Sequence, residues 1–415
     1  MARARWWILT LLFLATTINY LDRIVFSVLI PVIREEMHIG DQQYGYINSA
    51  FQLLYTIGFL FAGNLIDRWG TKIGYGVSIV WWSLAAAGHA LAAGAGSLSF
   101  WRAMLGIGES GNFPAAIKAV AEWFPKKDRA FATGLFNSGA TVSSIVGAPL
   151  FAWLAIRVGW RACFLFTAVA GFLWLTLWIF IPKPPPPEEE ERSGPKVSWG
   201  QALRYRETWG FALAKFFSDP VWWFYLYWLP PYFFDVRKMD LKEIGWALPV
   251  IYSVAGIGSV AGGWLAGWMI RRGMRPGTAH KWGMGLPALC MPVAAMAVLA
   301  ENPIVAIGLI CIATAAHQAW SANLYTTTSD IFPSSAVASV TGIGGCAGGL
   351  GGVIFSALLP GYVVAHFGYT PVFLVLGVFH LTGFLCAHLL MGDVRPLQQN
   401  LVENSVVSGN DKMKS

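Results

Sequence analysis

The chain has 415 residues, 56% of them hydrophobic, 15% aromatic and only 12% charged, with a mean hydropathy of +0.53 and a net charge of +7. A water-soluble chain of this length divides into two or three domains and carries about a quarter charged residues, so a soluble enzyme is excluded. Apolar segments of twenty or more residues recur instead, each long enough to cross about 30 Å of hydrocarbon as a helix.

Twelve such segments follow in chain order, near 6–30, 43–66, 73–94, 98–123, 131–156, 160–181, 210–234, 244–270, 280–300, 303–329, 336–365 and 369–391. The start, MARARWWILTLLFLATT, has the charged and apolar regions of a signal peptide. It lacks a small-x-small cleavage site and runs on as a full span, so it reads as a retained first helix. Of the 29 Lys and Arg, nineteen fall on the side of the two termini and six on the other. That bias predicts cytoplasmic termini and explains the positive charge without nucleic acid. All five cysteines lie within spans, with no CxxC pair and no metal-like spacing, so neither a metal nor a cofactor is expected.

The first span carries INYLDRIVF (18–26), an acid and a base side by side beyond its midpoint. Ionisable residues at membrane depth cost several kcal/mol unless they face protein or water, which makes them functional candidates. Asn19, Tyr20 and Arg23 form a polar stripe on one side of this helix. After span two, GNLIDRWGTK (63–72) closes the helix with Asp67, Arg68 and a turn at Gly70. In span four, FWRAMLGIGESGNFPAA sets Arg102 and Glu109 seven residues apart, two turns along one face and about 10 Å. Lys118, near the end of that span, is expected to snorkel.

IPKPPPPEEEERSGPK (181–196) then breaks the chain, and its prolines favour an extended spacer. Six spans precede it and six follow, and the two sets echo one another. EWFPKKDRAFATG (122–134) matches DIFPSSAVASVTG (330–342) at an offset of 208, and VGWRACF (158–164) matches FGYTPVF (367–373) at 209. A duplicated six-helix unit follows, with parallel repeats of the kind that rock about a central site. The expected layout is a first bundle at 1–181, a cytoplasmic linker at 182–208, a second bundle at 209–391 and a polar tail at 392–415. In the second half GWLAGWMIRRG (263–273) repeats the glycines and bases of the 63–72 loop, with Gly267 in place of the acid. Lys215 stands four residues before Asp219, so it either neutralises that acid or points at an anion. The glycine-rich spans eight and eleven are expected at the seam between halves, where small residues permit close sliding contact.

The G-x-x-x-D-R-x-G-x-K loop, the twelve spans and the internal repeat resemble the major facilitator superfamily over the full ordered length. This implies an all-α integral membrane protein with twelve transmembrane helices in two six-helix pseudo-symmetric halves. NYLDR in span one, R-x-x-x-G-x-G-E ahead of NFPAA in span four, and EWFPKKDRA look like the anion:cation symporter branch, which includes proton-driven carriers of sugar acids. The resemblance implies that Arg23 binds the substrate carboxylate, that Asp22 and Glu109 couple protons with Arg102 tuning Glu109, and that Tyr20 and Tyr55 touch substrate. It also implies that Asp67, Arg68 and Arg129 gate. ALAKFFSDPVWWFYLYWLPPYF (212–233) and HQAWSANLYTTTSDIFP (317–333) resemble hexuronate carriers more than aldonate ones. His317, Gln318, Asn323 and Tyr55 have the chemistry to bond sugar hydroxyls, Trp320 to cover the ring, and Lys215 to meet an anion.

The expected function is therefore import of a hexuronate with a proton by a monomer in the bacterial inner membrane. Carriers of aldonates or aldarates, neutral sugars or drugs are the alternatives. SSIVGAPLFAWL (143–154) lacks the Gly-Pro pair of drug antiporters, and no HExxH, GxSxG or zinc cluster supports an enzyme.

Overall fold

Lipid offers no partner for backbone N–H and C=O groups, so apolar runs of this length persist only as helices that bond internally. The computed structural model describes residues 2–39, 41–181, 197–239 and 241–397, and within them every regular element is helical. The proline and acid run at 182–196 and the tail beyond 397 lie outside the described residues.

The first half contains α1 (Ala2–Met37), α2 (Asp41–Trp69), α3 (Thr71–Gly88), α4 (Ala95–Glu109), α5 (Asn112–Trp123), α6 (Lys126–Asn137), α7 (Gly139–Val158) and α8 (Trp160–Ile179). A short α9 (Trp199–Ala202) precedes the second half. That half contains α10 (Arg206–Asp235), α11 (Leu241–Arg271), α12 (Pro276–Cys290), α13 (Val293–Leu299), α14 (Pro303–Ile331), α15 (Val337–Gly352), α16 (Leu359–Phe367) and α17 (Thr370–Met391).

Several crossings are made of two helices in series, and proline explains most of the joins. Pro114 cannot donate to the Ser110 carbonyl, and the chain breaks between α4 and α5 there. Pro292 separates α12 from α13. Pro360 leaves the Ser356 carbonyl without its helical donor after the π-helical turn Val353–Leu358, and Trp228 Nε1 fills the vacancy at 2.9 Å. Trp228 is thus a cross-helix donor.

Nine stretches among the described residues are long and apolar enough to cross a membrane by length and composition. The third, fourth and seventh predicted crossings are not among them. Their helices are nonetheless in place, as α3, as α4 with α5, and as α10. The fourth is split at Ser110, and the seventh carries Lys215 and Asp219.

The duplication is written in the backbone. His38 (φ 53) and Lys238 (φ 56), the described non-glycine residues with positive φ, each end the first crossing of a half. Gly70 (φ 83) and Gly273 (φ 94) end the second crossings, and Gly159 (φ 83) and Gly368 (φ 73) open the sixth. Left-handed conformation disfavours a Cβ by about 1–2 kcal/mol, which accounts for glycine at four of these six positions.

The seam between halves repeats too. A Cβ on Gly342 would strike the Phe59 carbonyl, and one on Gly134 would strike that of Ser259. Gly63 faces the Ala338 carbonyl as Gly263 faces that of Ala130. α15 alternates its glycines between partners, since Gly344, Gly348 and Gly351 meet Phe211, Asp219 and Phe216 of α10.

One end of the bundle holds both ends of the described chain. Arg5 and Arg271 both reach Asp128, each at 3.7 Å, while Val394 packs on Gly277. Towards that end a single apolar cluster runs through both halves, from Ile8 and Trp178 to Phe332 and Met391. Elsewhere each half keeps its own cluster, around Val25, Ile33 and Phe164 in the first and Leu229, Phe233 and Tyr369 in the second. The halves are fused at the end that holds the termini and less joined beyond it.

Candidate functional site

Between the halves lies a cavity of about 50 Å³, far below the roughly 300 Å³ at the small end of ligand pockets. Tyr20, Tyr55 and Asn137 line it from the first half; Lys215, Asp219, Trp222, Trp223, His317, Gln318, Ser321 and Tyr325 line it from the second.

On the first wall, the i, i+4 spacing of Asn19 and Arg23 lets the Asn19 side-chain Oδ1 accept from Arg23 Nη2 at 3.2 Å. Arg23 Nε donates to Glu109 at 2.7 Å, a charge-assisted bond across two helices. The guanidinium carbon lies 4.8 Å from the Tyr20 ring centre and 4.3 Å from that of Tyr55, so Arg23 sits one layer behind the tyrosines that line the cavity. Neither its Nη1 nor Glu109 Oε1 has a hydrogen bond of good geometry among the described residues, although the Tyr55 hydroxyl lies close to the guanidinium.

Asp22 and Arg102 do not join this pair. Asp22, one residue along the helix and about 100° round it, is buried away from the cavity. Neither of its oxygens has a hydrogen bond of good geometry among the described residues, and its polar neighbour Thr167 gives its hydroxyl to the Phe164 carbonyl. Arg102 packs against the rings of Phe26 and Phe51, 4.8 and 4.5 Å from their centres. Two helical turns keep Arg102 out of contact with Glu109 among the described residues, as their spacing implies, so any tuning of Glu109 by Arg102 acts through space while Arg23 makes the direct bond.

On the second wall Lys215 Nζ bonds both Asp219, at 2.7 Å, and the Tyr325 hydroxyl, at 2.7 Å. The pair is therefore formed, and both members border the cavity. Asn137 Nδ2 donates across the seam to Gln318 Oε1 at 2.9 Å, which leaves the Gln318 NH₂ free to donate. Trp320 and Asn323 lie elsewhere than expected. Trp320 packs on His380 and Phe384, and Asn323 is tied to the Gly262 and Ala319 carbonyls and to His280. α14 is buried on nearly every side, so residue type alone does not say which side faces the cavity. Stepping by four from His317 to Ser321 and Tyr325 does, and would have found Tyr325. The same step reaches Ser321, whereas Asn137 had no comparable signal.

The model of the Major Facilitator Superfamily matches residues 12–356. This chain belongs to the major facilitator superfamily. It is 35% identical to the hexuronate transporter of Escherichia coli strain K12 over 403 residues, 92% of each chain. To the galacturonate transporter of Dickeya chrysanthemi it is 33% identical over 282 residues, 63% of this chain and 81% of that one. Its fold matches a proton:xylose symporter solved with 6-bromo-6-deoxy-D-glucose, at a TM-score of 0.78 and 16% identity, covering 95% of this chain and 97% of the other. The superfamily consists of membrane transporters, not enzymes.

The facilitator's loop motif does its work at the fused end. Asp67 takes the backbone N–H of Ser339 at 2.6 Å and that of Ala338 at 3.3 Å, at the N-terminus of α15, where the helix dipole favours an anion. Lys118 bonds the same carboxylate at 2.8 Å; it is a partner of the motif and not a snorkelling residue. Arg68 is exposed beside it. Arg129 accompanies this contact from α6: it donates to the Ser329 carbonyl and to Asp330 at 3.1 Å, across the seam, and to Phe124 and Ala121 carbonyls in its own half. His280 holds the other Asp330 oxygen at 3.0 Å.

Proposed function

We propose that this transporter imports a hexuronate, such as glucuronate or galacturonate, together with protons, by alternating access across the bacterial inner membrane. Its unit is a monomer with cytoplasmic termini. Residues 1–181 and 209–391 rock as two bodies joined by the 182–208 linker. The observation that carries this reading is Arg23, forked between Asn19 and Glu109 just behind the cavity wall, with one Nη that makes no well-formed hydrogen bond among the described residues. The relatives named as hexuronate and galacturonate transporters support the choice of substrate class.

In this reading a substrate carboxylate competes with Glu109 for the guanidinium. A Glu109 that has taken up a proton releases Arg23; one that has lost it reclaims Arg23 and expels the anion. Asp22, close by on the same helix, is the second acid in the exchange. Tyr20 and Tyr55 must shift for the carboxylate to reach Arg23, which fits a 50 Å³ cavity too small for a sugar acid until the halves part. With the termini in the cytoplasm, the fused end is the inner one, and Asp67, Arg68 and Arg129 form the gate closed here.

Uptake of labelled glucuronate into proteoliposomes under an imposed proton gradient, acidic outside, tests this directly. Hexuronates should accumulate and compete with one another. Glucose and galactose should not compete, since a neutral sugar leaves a buried charged donor unpaired at several kcal/mol, or about 10³-fold in affinity. Equal competition by neutral hexoses would make this a sugar:proton carrier instead.

A further inference from the structure

Two histidines face one another in the second half with no place in that exchange. His317 of α14 borders the cavity and lies flat on Trp222, ring centres 5.4 Å apart and planes 9° apart. Its Nδ1 is 3.0 Å from Nε2 of His380 on α17, which is fully buried. His380 Nδ1 has no hydrogen-bond partner among the described residues. Lys215 already places a cation on this cavity, its carboxylate partner Asp219 is engaged, and no carboxylate bonds either ring among the described residues, so the two rings are taken as neutral.

A neutral pair shares one proton at the contact. If His317 donated it, His380 would carry its own proton on Nδ1, an N–H buried with nothing to accept it. Orphaned buried N–H groups are rare, and an unpaired acceptor is tolerated better. The chain shows elsewhere how an Nδ1 proton is housed: His89 and His366 set Nδ1 at 2.7 and 2.9 Å from the carbonyls four residues earlier. His380 has no such contact. The shared proton therefore sits on His380 Nε2, His317 Nδ1 accepts it, and the proton of His317 lies on Nε2, the nitrogen left towards the cavity.

We propose that His380 is a positioning residue that fixes His317 as an N–H donor, so that this wall of the site recognises one sugar oxygen as an acceptor. The proposal rests on the sugar-acid reading above. Gln318 works in the same sense, because Asn137 occupies its oxygen and leaves its NH₂ to donate.

Two measurements test it. In protein labelled with ¹⁵N-histidine, with His317→Gln and His380→Gln to assign the signals, both rings should be protonated at Nε2 and bare at Nδ1. A proton on His380 Nδ1, or a doubly protonated ring, would overturn the proposal. This readout needs no transport, so it stands apart from the identity of the substrate. The second measurement compares deoxy and deoxyfluoro hexuronates as competitors, since fluorine accepts weakly and never donates. At one ring position the fluoro compound should bind about threefold or more tighter than the deoxy one. His380→Leu should erase that difference and raise KM with little change in kcat, whereas His380→Gln, whose amide N–H replaces Nε2–H, should restore it. Identical behaviour of fluoro and deoxy compounds at every position in the unaltered protein would remove the donor role. Failure of all hexuronates to bind, with the ¹⁵N pattern intact, would reject the substrate and not the tautomer.

Discussion

Where α2 meets α15, Gly342 lies on the Phe59 carbonyl and Gly63 on that of Ala338; where α6 meets α11, Gly134 lies on the Ser259 carbonyl and Gly263 on that of Ala130. The backbone contacts of the two seams are copies, but their chemistry is not. The first seam ends in Asp67, bonded to two main-chain N–H groups and Lys118. At the matching place in the second, Gly267 faces the Lys127 carbonyl at 2.7 Å from where a Cβ would stand, with no room for a side chain. The cavity walls differ in the same way: Arg23 and Glu109 sit behind tyrosines on one side, while Lys215 and Asp219 border the space on the other. Duplication supplied a symmetric frame, and charge was placed on it once per task.

The strongest way to break the comparison is Glu109→Gln. Gln imitates the protonated acid but cannot cycle, so proton-driven accumulation should vanish while substrate exchange across a membrane without gradient persists. Accumulation against a gradient by that variant would take Glu109 out of coupling. Asp22→Asn should also impair coupling, read in the same assay. The seams should respond alike to Gly342→Val and Gly134→Val. Each forces a side chain onto a carbonyl, at a cost of about 1–3 kcal/mol to the closed state. Thiol labelling of a cysteine introduced by Ser329→Cys should speed up in both variants, and an effect confined to one seam would show that only that seam closes the fused end.

Arg23→Lys keeps the charge but loses the fork, so hexuronate affinity measured by calorimetry should fall by about 1.5 kcal/mol or more, roughly tenfold. Unchanged affinity would mean Arg23 serves only to hold Glu109. Smaller effects lie at the far end, where Glu36 accepts from Trp160 Nε1 at 2.7 Å and Arg161 at 2.6 Å. These bonds, Trp160 first, hold its carboxyl below the usual value. A lowered folded value means stability that is present above the ordinary carboxylate range and lost as pH falls through the lowered one. Glu36→Gln should therefore lower Tm at pH 6, and by progressively less as the pH is brought down through and below the ordinary carboxylate range. The exposed site keeps the shift to about 2 °C at most. Asp235→Asn, which removes the acceptor of the Tyr369 hydroxyl at 3.3 Å in the other half, should do less still.

The frame was largely readable because its signals are long: apolar runs, and matched segments 208 residues apart. The joins inside crossings were not, since a proline such as Pro360 bends a helix in a way that depends on whether a neighbour like Trp228 can take the orphaned carbonyl. Charges in the spans marked Arg23, Glu109 and Lys215 correctly as buried and clustered, because an ionisable group in lipid has few other reasons to be there. Which charge meets which was not legible. Glu109 reaches across to Arg23 on another helix instead of up its own to Arg102, and Lys118 finds Asp67. Polar residues on α14 misled for a related reason. A helix buried all round has no water-facing side to define its orientation, so Trp320 and Asn323 looked as available as His317 and Gln318.

Asp67 recognises α15 through the amide N–H groups of residues 338 and 339, not through the side chains of Ala338 and Ser339. Nineteen of the twenty amino acids offer that same donor, and only proline lacks it. The contact therefore asks nothing of the side chains in the first turn of α15 beyond the exclusion of proline, and it is their burial, not Asp67, that keeps them small. An acid at 67 would then show no covariation with 338 or 339 among descendants of this chain, and a search for coupled positions would pass over a contact that every one of them keeps.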